Sequence, residues 1–264
     1  MGTTDTNQKT PHIKIRDMTM AYGSFVLMRN LTFTVNRGDV FAIMGGSGCG
    51  KSTLMRILIG LKSPAAGSVY YRETNFWEIR ESQREKMMKG FGVLYQSGAL
   101  WSSMTLAENI ALPLELYTGL GKNDISELVA LKLAMVGLAG FEGYYPSEIS
   151  GGMRKRAGIA RAMALDPEVL FFDEPSAGLD PVSAKMLDDL ILELNAGIGA
   201  TVVIVTHELP SIFAIANNSV FLDNQIRTAG ATGNPQQLLT RSENPAVIRF
   251  LTRGEKTAGE PKEP

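Results

Sequence analysis

The stretch Val40-Phe41-Ala42-Ile43-Met44-Gly45-Gly46-Ser47-Gly48-Cys49-Gly50-Lys51-Ser52-Thr53-Leu54 decides how the rest of the chain is read. An apolar run ends in glycines, a lysine and two hydroxyl residues follow, and then a helical pattern begins. Gly45, four residues, then Gly50-Lys51-Ser52 is the full spacing of a phosphate-binding loop. Val40 to Met44 predicts a buried strand that delivers the loop. Leu54, Ile57, Leu58 and Leu61 predict a helix over Thr53 to Leu61. The glycines allow backbone conformations closed to residues with a Cβ and keep side chains away from a ligand. Successive N–H groups then point at phosphate oxygens, helped by the positive end of the helix. Lys51 supplies a mobile point charge for the β- and γ-phosphates. The Ser52 hydroxyl suits Mg²⁺. A glycine-rich turn can match such a pattern by chance, but the strand before it and the helix after it favour nucleotide binding.

The 264 residues allow one large domain or two small ones with a real core, and no internal repeat marks a second nucleotide unit. Hydrophobic residues make up 44% and charged residues 20%, the balance of a globular protein. A net charge of −1 gives no bulk attraction to nucleic acid or anionic lipid. The single cysteine, Cys49, excludes an internal disulfide and fits a reducing compartment. It reads as a small filler of the loop, where a bulky thiol reagent should interfere with nucleotide. No apolar run approaches the roughly 18 residues of a membrane span, and no signal peptide opens the chain. Met1 to Thr6 fits the permissive N-myristoylation pattern. Membrane work would therefore need a second chain.

Residues 1–11 read as a loose start. His12 to Met20, Leu31 to Val35, Gly67 to Tyr71 and Phe91 to Tyr95 read as strands. Arg80 to Lys89, dense in both charges, reads as a solvated helix or loop. From Met104 to Gly140 helical spacing dominates (Ile110, Leu114, Leu128, Leu131, Leu133, Val136, Leu138), which predicts an inserted helical subdomain over about 97–160. Glu168 to Phe172 predicts a buried strand, and the β-branched run Thr201 to Thr206 a parallel strand buried on both faces. Between them lies an amphipathic helix, Val182 to Asn195, opened by Asp180 and Pro181. Pro210 to Asn217 predicts a helix, Val220-Phe221-Leu222 and Gln225-Ile226-Arg227 flanking Asp223-Asn224 a hairpin, and Pro235 to Thr240 and Pro245 to Thr252 short helices. Residues 254–264, rich in charge, Gly and Pro, read as disordered.

Leu170-Phe171-Phe172-Asp173-Glu174 is an apolar strand ending in two carboxylates. An aspartate there can hold Mg²⁺ beside a phosphate loop, and an adjacent acid can deprotonate attacking water. Alone, the pair could equally cap a helix. Ser150-Gly151-Gly152-Met153-Arg154 opens a helical pattern and forms a second candidate anion site, though Ser-Gly-Gly is also ordinary cap chemistry. Two phosphate sites and one nucleotide are reconciled if two copies of the chain face each other and each closes the other's site. Arg154-Lys155-Arg156 reads as the solvated start of that helix rather than as a patch for lipid or nucleic acid.

With these motifs in order, residues 12–230 resemble the ABC ATPase family. The resemblance implies an α/β fold: a P-loop NTPase (RecA-like) core with a mostly parallel sheet, an N-terminal antiparallel β subdomain and an inserted α-helical subdomain. It implies a domain over 12–235, a C-terminal helical extension over 236–253, and ATP and Mg²⁺ as ligands. Tyr22 matches the residue that stacks on adenine. Gly45, Gly46, Ser47, Gly48, Cys49, Gly50, Lys51, Ser52 and Thr53 match the loop that holds phosphate. Gln96 matches the Q-loop glutamine, and Ser150, Gly151 and Gly152 the family signature, with Ile149 and Met153 departing from its usual residues. Asp173 matches the magnesium aspartate, Glu174 the catalytic glutamate, Ser176 to Asp180 the D-loop, and His207 the switch histidine. Catalysis would fall to Glu174, His207 and Lys51, and metal holding to Ser52, Gln96 and Asp173.

Tyr95 to Leu100, Asn109 to Leu114 and Pro146 to Arg156 are further similar to the ATPases of the Mla/Mce phospholipid transport systems of Gram-negative bacteria. That branch implies a homodimer with shared ATP sites on the cytoplasmic face of the inner membrane. Its partners would be a permease dimer, whose coupling helix docks in a groove around Leu100 to Glu108, an Mce-domain subunit, and in some systems a STAS-domain protein. No nucleic acid is implied. The alternatives are the ATPase of a small-molecule importer, for example for amino acids, and a soluble scaffold-type ABC ATPase.

Overall fold

A computed structural model describes residues 10–254. The expectations for residues 1–9, including the myristoylation pattern, and for 255–264 lie outside the described residues. Pro11, expected in the loose start, instead opens the first strand.

Two sheets organise the chain. The first is antiparallel, in the order β2 (Phe25–Asn36), β1 (Pro11–Tyr22), β4 (Ala66–Tyr71) and the two-residue β5 (Thr74–Asn75). Alternation of Ile13, Ile15, Leu31, Phe33 and Val35 turns one face of it onto a core shared with the second sheet. The second sheet runs β10 (Thr228–Thr232), β9 (Asn218–Asp223), β3 (Val40–Gly45), β8 (Thr201–Val205), β7 (Val169–Asp173), β6 (Phe91–Leu94). All its pairings are parallel except the β9–β10 hairpin. Strands β3 and β8 are buried along their whole length, which is why they read as unbroken apolar runs. The carboxyl ends of β3, β6, β7 and β8 therefore meet at one edge, where a ligand site belongs in such a sheet.

Helix α1 (Lys51–Leu58) follows β3 directly and ends three residues before the expected Leu61, which is exposed. Helix α2 (Glu81–Met88) buries no residue, as its charge density predicts. Between β6 and β7 come α3 (Leu106–Tyr117), α4 (Lys122–Met135) and α5 (Gly151–Ala162). Ile110, Leu114, Leu133, Val136 and Leu138 are core residues there, whereas Leu131 faces solvent. Thr105 starts α3 with a capping box, its hydroxyl accepting from Glu108 N–H while the Glu108 carboxylate accepts from Thr105 N–H. Asp180 caps α6 (Pro181–Ile198) through the N–H groups of Val182 and Ser183. Helices α7 (Leu209–Ile215), α8 (Pro235–Arg241) and α9 (Pro245–Leu251) form a separate apolar cluster with Met44 and Phe221.

Two further expectations are corrected. The second strand of the C-terminal hairpin begins at Thr228, and Gln225-Ile226-Arg227 belongs to the turn. The Asp223 carboxylate accepts from Gln225 N–H at 2.9 Å, and this local bond starts the turn earlier than the apolar pattern suggests. The Arg154-Lys155-Arg156 run is solvated only in part: Arg154 is exposed and Arg156 half-buried, but both are tied to backbone carbonyls. Arg154 donates to the carbonyls of Ile149 and Pro146, Arg156 to that of Val136, and Lys155 is buried.

Candidate nucleotide site

The carboxyl edge of the second sheet opens into a cavity of about 920 Å³. Gly45, at φ +146°, ends β3 in a conformation only glycine adopts readily. A Cβ there would lie 2.6 Å from the Leu222 carbonyl and 2.7 Å from Cys49 Sγ. Gly48 and Gly50 also have positive φ, and a Cβ on Gly50 would strike Leu27. Gly46 has an ordinary φ and only open space where its Cβ would be, so its smallness matters to the cavity rather than to the fold. The loop thus curls round the start of α1, whose first residues, Lys51 to Thr53, line the cavity and whose first N–H groups have no partner within the helix. The Lys51 ammonium lies across the loop and donates to the carbonyls of Gly45 and Gly46 at 2.9 and 3.0 Å.

The structure brings Gly45, Gly46, Ser47, Gly48, Gly50, Lys51, Ser52, Thr53, Gln96, Asp173, Glu174 and His207 to this one cavity. Asp173, the last residue of β7, keeps one buried carboxylate oxygen without a hydrogen bond. Burial first, and the charge of Glu174 second, push its carboxyl up. Glu174 stands at φ +49°, a strained position for a non-glycine residue. One of its oxygens meets His207 Nδ1 at 2.7 Å, and the other is buried without a protein partner. Among the described residues no group of three or more His, Cys, Asp or Glu is poised to hold a metal. A divalent cation here would rest on one carboxylate, a hydroxyl and phosphate oxygens, the coordination Mg²⁺ favours. The orphaned Asp173 oxygen fits that use.

Other predicted residues stand apart. Tyr22 does not line the cavity; its hydroxyl is 3.1 Å from Thr53 Oγ1 and the Lys62 ammonium sits 4.3 Å from its ring centroid. Cys49 is buried at 1% exposure, and burial pushes its thiol up, so a thiol reagent meets little accessible thiolate. Ser150, Gly151 and Gly152 lie outside the cavity at the start of α5, where the Ser150 hydroxyl accepts from Met153 N–H. The cavity also has lining that motif spacing did not point to: Leu27, Leu209, and Arg249, Phe250, Arg253 and Gly254 at the end of α9. The spacing of Val247 and Leu251 shows an amphipathic helix. What seats it beside the loop is the packing of Phe250 on Phe221, centroids 5.3 Å apart.

A phosphate loop, a strand-end Asp-Glu pair and a histidine on the Glu, gathered at the carboxyl edge of a parallel sheet, define a P-loop nucleotide hydrolase. The family model described as ABC transporter matches residues 28–177, and the chain belongs to the ABC transporter family, as one of its ATP-hydrolysing cassettes. It is 38% identical over 240 residues to the intermembrane phospholipid transport system ATP-binding protein MlaF of Escherichia coli, covering 90% of this chain and 88% of that one. It is 41% identical over 239 residues to the probable ribonucleotide transport ATP-binding protein mkl of Mycobacterium tuberculosis, spanning 66% of that protein's length. Among solved structures, a dimeric post-hydrolysis state of the ATP-binding cassette MJ0796 bound to ADP and Pi superposes with a TM-score of 0.75 at 26% identity, over 84% of this chain and 98% of that one. Among the described residues no helix is long and apolar enough to cross a membrane.

Proposed function

We propose that the chain is the ATPase subunit of a transporter that moves phospholipid between the inner membrane and the periplasm or outer membrane, so maintaining outer-membrane lipid asymmetry. The observation that carries this reading is the match to MlaF proteins along nearly their whole length. The mycobacterial relatives, named probable ribonucleotide transport ATP-binding proteins, extend for about a third of their length beyond the match.

In this reading residues 12–235 form the ABC domain, about 97–160 its helical part, and 236–253 an extension. Two copies close on two ATP molecules. The Gly45–Thr53 loop cradles the phosphates of one, Tyr22 contacts its adenine, and Ser150, Gly151 and Gly152 of the partner copy meet its γ-phosphate. Glu174 takes a proton from the water that attacks the γ-phosphorus, its carboxylate held in place by the 2.7 Å bond to His207. The products are ADP and phosphate. Lys51 and His207 lie where charge builds on the transferring phosphoryl group. Ser52, Gln96 and Asp173 would hold Mg²⁺, which when bound neutralises phosphate charge. The chain works at the cytoplasmic face of the inner membrane on a permease dimer, whose coupling helix lies near Leu100 to Glu108, together with an Mce-domain subunit and, in systems that have one, a STAS-domain protein.

Affinity purification of the native complex, followed by transfer assays in proteoliposomes, tests this. The expected result is a co-purifying multi-span permease and Mce subunit, with ATP-dependent movement of labelled phospholipid. Recovery with a periplasmic solute receptor, or uptake of ribonucleotide and no lipid transfer, would refute it.

A further inference from the structure

Helix α5 carries a lysine that neither the phosphate chemistry nor the interface reading uses. Lys155 is only 7% exposed. A buried ammonium is costly unless its hydrogen bonds are met, and this one has specific partners. It donates to the Gln96 carbonyl and, at 3.2 Å, to the Glu174 carbonyl. These carbonyls lie just past the ends of two neighbouring parallel strands, β6 and β7, which are paired as far as Leu94 and Phe172. Beyond that register the strands part. The ammonium stands in the split, donating to the Gln96 carbonyl and adding a second bond to the Glu174 carbonyl, which also accepts from Ala177 N–H at 3.2 Å. The negative charges of Asp173 and Glu174 favour its protonated form against the loss of solvation that lowers its pKa.

The same helix grips the Gln96 loop twice more. Arg161 donates to the Ala99 carbonyl. Midway, a Cβ on Gly158 would fall 2.7 Å from the Gly98 carbonyl and 2.6 Å from Leu94, so helix and loop touch backbone to backbone. The loop that aims Gln96 into the cavity therefore rides on α5, and through Lys155 so does the backbone of Glu174.

We propose that Lys155 is a positioning residue for ATP hydrolysis: it locks the loop of Gln96 and the backbone of Glu174 to α5, so that a shift of the helix start at Ser150 reaches the hydrolytic carboxylate of the same copy. This rests on the assignment of Glu174 as the base and of Ser150–Gly152 as the partner-facing end. The lock acts on the placement of Gln96 and Glu174 and makes no nucleotide contact of its own, since Lys155 does not line the cavity. Its loss lowers turnover far more than affinity, because the phosphate loop that carries most of the nucleotide contacts is untouched.

The full-length wild type is compared with Lys155→Gln, Lys155→Arg and Glu174→Gln. The readouts are steady-state ATP hydrolysis, calorimetric affinity for a non-hydrolysable ATP analogue, and thermal melting. Lys155→Gln is expected to lower kcat about ten- to hundredfold, the scale of a reacting group misplaced by about an ångström, with analogue affinity retained. Lys155→Arg, which keeps the charge and the donors, is expected to recover part of kcat. Wild-type kcat in Lys155→Gln beside an inactive Glu174→Gln would overturn the Lys155 assignment alone. A parallel fall in kcat, affinity and melting temperature with no recovery in Lys155→Arg would reduce Lys155 to a structural role and overturn it too. Near-normal hydrolysis by Glu174→Gln would overturn the base assignment beneath the proposal.

Discussion

Two adjacent glycines separate the folding role of the phosphate loop from its binding role. At Gly45 a methyl group would stand 2.6 Å from the Leu222 carbonyl and 2.7 Å from Cys49 Sγ, at φ +146°. The backbone strain is about 1–3 kcal/mol, and pressing a methyl into a packed strand end adds about 1–3 kcal/mol more. Gly45→Ala should therefore cost roughly 2–6 kcal/mol, which for a chain of this size lowers Tm by roughly 4–24 °C. At Gly46 the same methyl meets nothing within 4 Å and φ is ordinary. Gly46→Ala should leave Tm unchanged, yet it puts the methyl into the cavity where phosphate must approach the backbone amides. Its ATP affinity should fall about tenfold or more, the cost of one or two charge-assisted hydrogen bonds. Differential scanning calorimetry without nucleotide and isothermal titration with ATP read the two effects separately. A Gly45→Ala protein that melts like wild type would refute the packing argument. A Gly46→Ala protein that binds ATP like wild type would refute the reading of the loop as a backbone cradle.

Two further outcomes follow from buried polar groups. Asn109 is fully buried and closes the 101–105 loop, accepting from Trp101 N–H and donating to the carbonyls of Trp101, Met104 and Thr105. Asn109→Ala orphans these groups, and a loss of about 2–4 kcal/mol should lower the melting temperature by roughly 5–10 °C; an unchanged melting curve would contradict it. Burial lowers the pKa of His12, whose Nδ1 meets Thr201 Oγ1 at 2.6 Å. The folded state then binds a proton less readily than the unfolded chain, so this contribution to stability is complete above about pH 6.5 and is lost as pH falls below it. Burial alone would push Glu168 up, but its bond to Arg72 and the cations around it win, so it too loses stability on acidification, at lower pH. Melting temperature should fall between about pH 7.5 and 5.5, and less so in His12→Gln; equal slopes in both proteins would refute the assignment.

The phosphate loop and the Asp173-Glu174 pair were legible in the sequence because their chemistry is local: glycine, lysine and carboxylate at fixed offsets along one strand end. The parallel core was legible for a related reason, since strands buried on both faces must be apolar throughout. What was not legible depends on neighbours far along the chain. Lys155, in a basic run at a helix start, looks solvated until the fold brings the Gln96 and Glu174 carbonyls at the split strand ends against it. The cavity wall made by Arg249, Phe250 and Arg253 follows from α9 docking on β9, which no local pattern encodes. The shifted hairpin is a middle case, for the bond from Gln225 N–H to Asp223 is local chemistry that outweighed the apolar alternation.

Glu174 brings stability and function into direct opposition, and that too can be measured. Its backbone is held at φ +49°, one of its carboxylate oxygens is buried without a partner, and its charge faces Asp173, whose pKa it helps to raise. A position kept in that state against strain, desolvation and like-charge repulsion is a candidate for chemistry rather than folding. Glu174→Gln keeps the shape and an oxygen toward His207 but removes one of two adjacent, partly buried charges. Without nucleotide or divalent cation it should therefore raise stability by about 1 kcal/mol, roughly 2–4 °C in melting temperature. The increment should shrink when MgATP is present, because the wild-type carboxylates then have counter-charges to face. A variant that melts below wild type in the bare protein would mean that Glu174 is held by packing, and the strain at this strand end would need another cause.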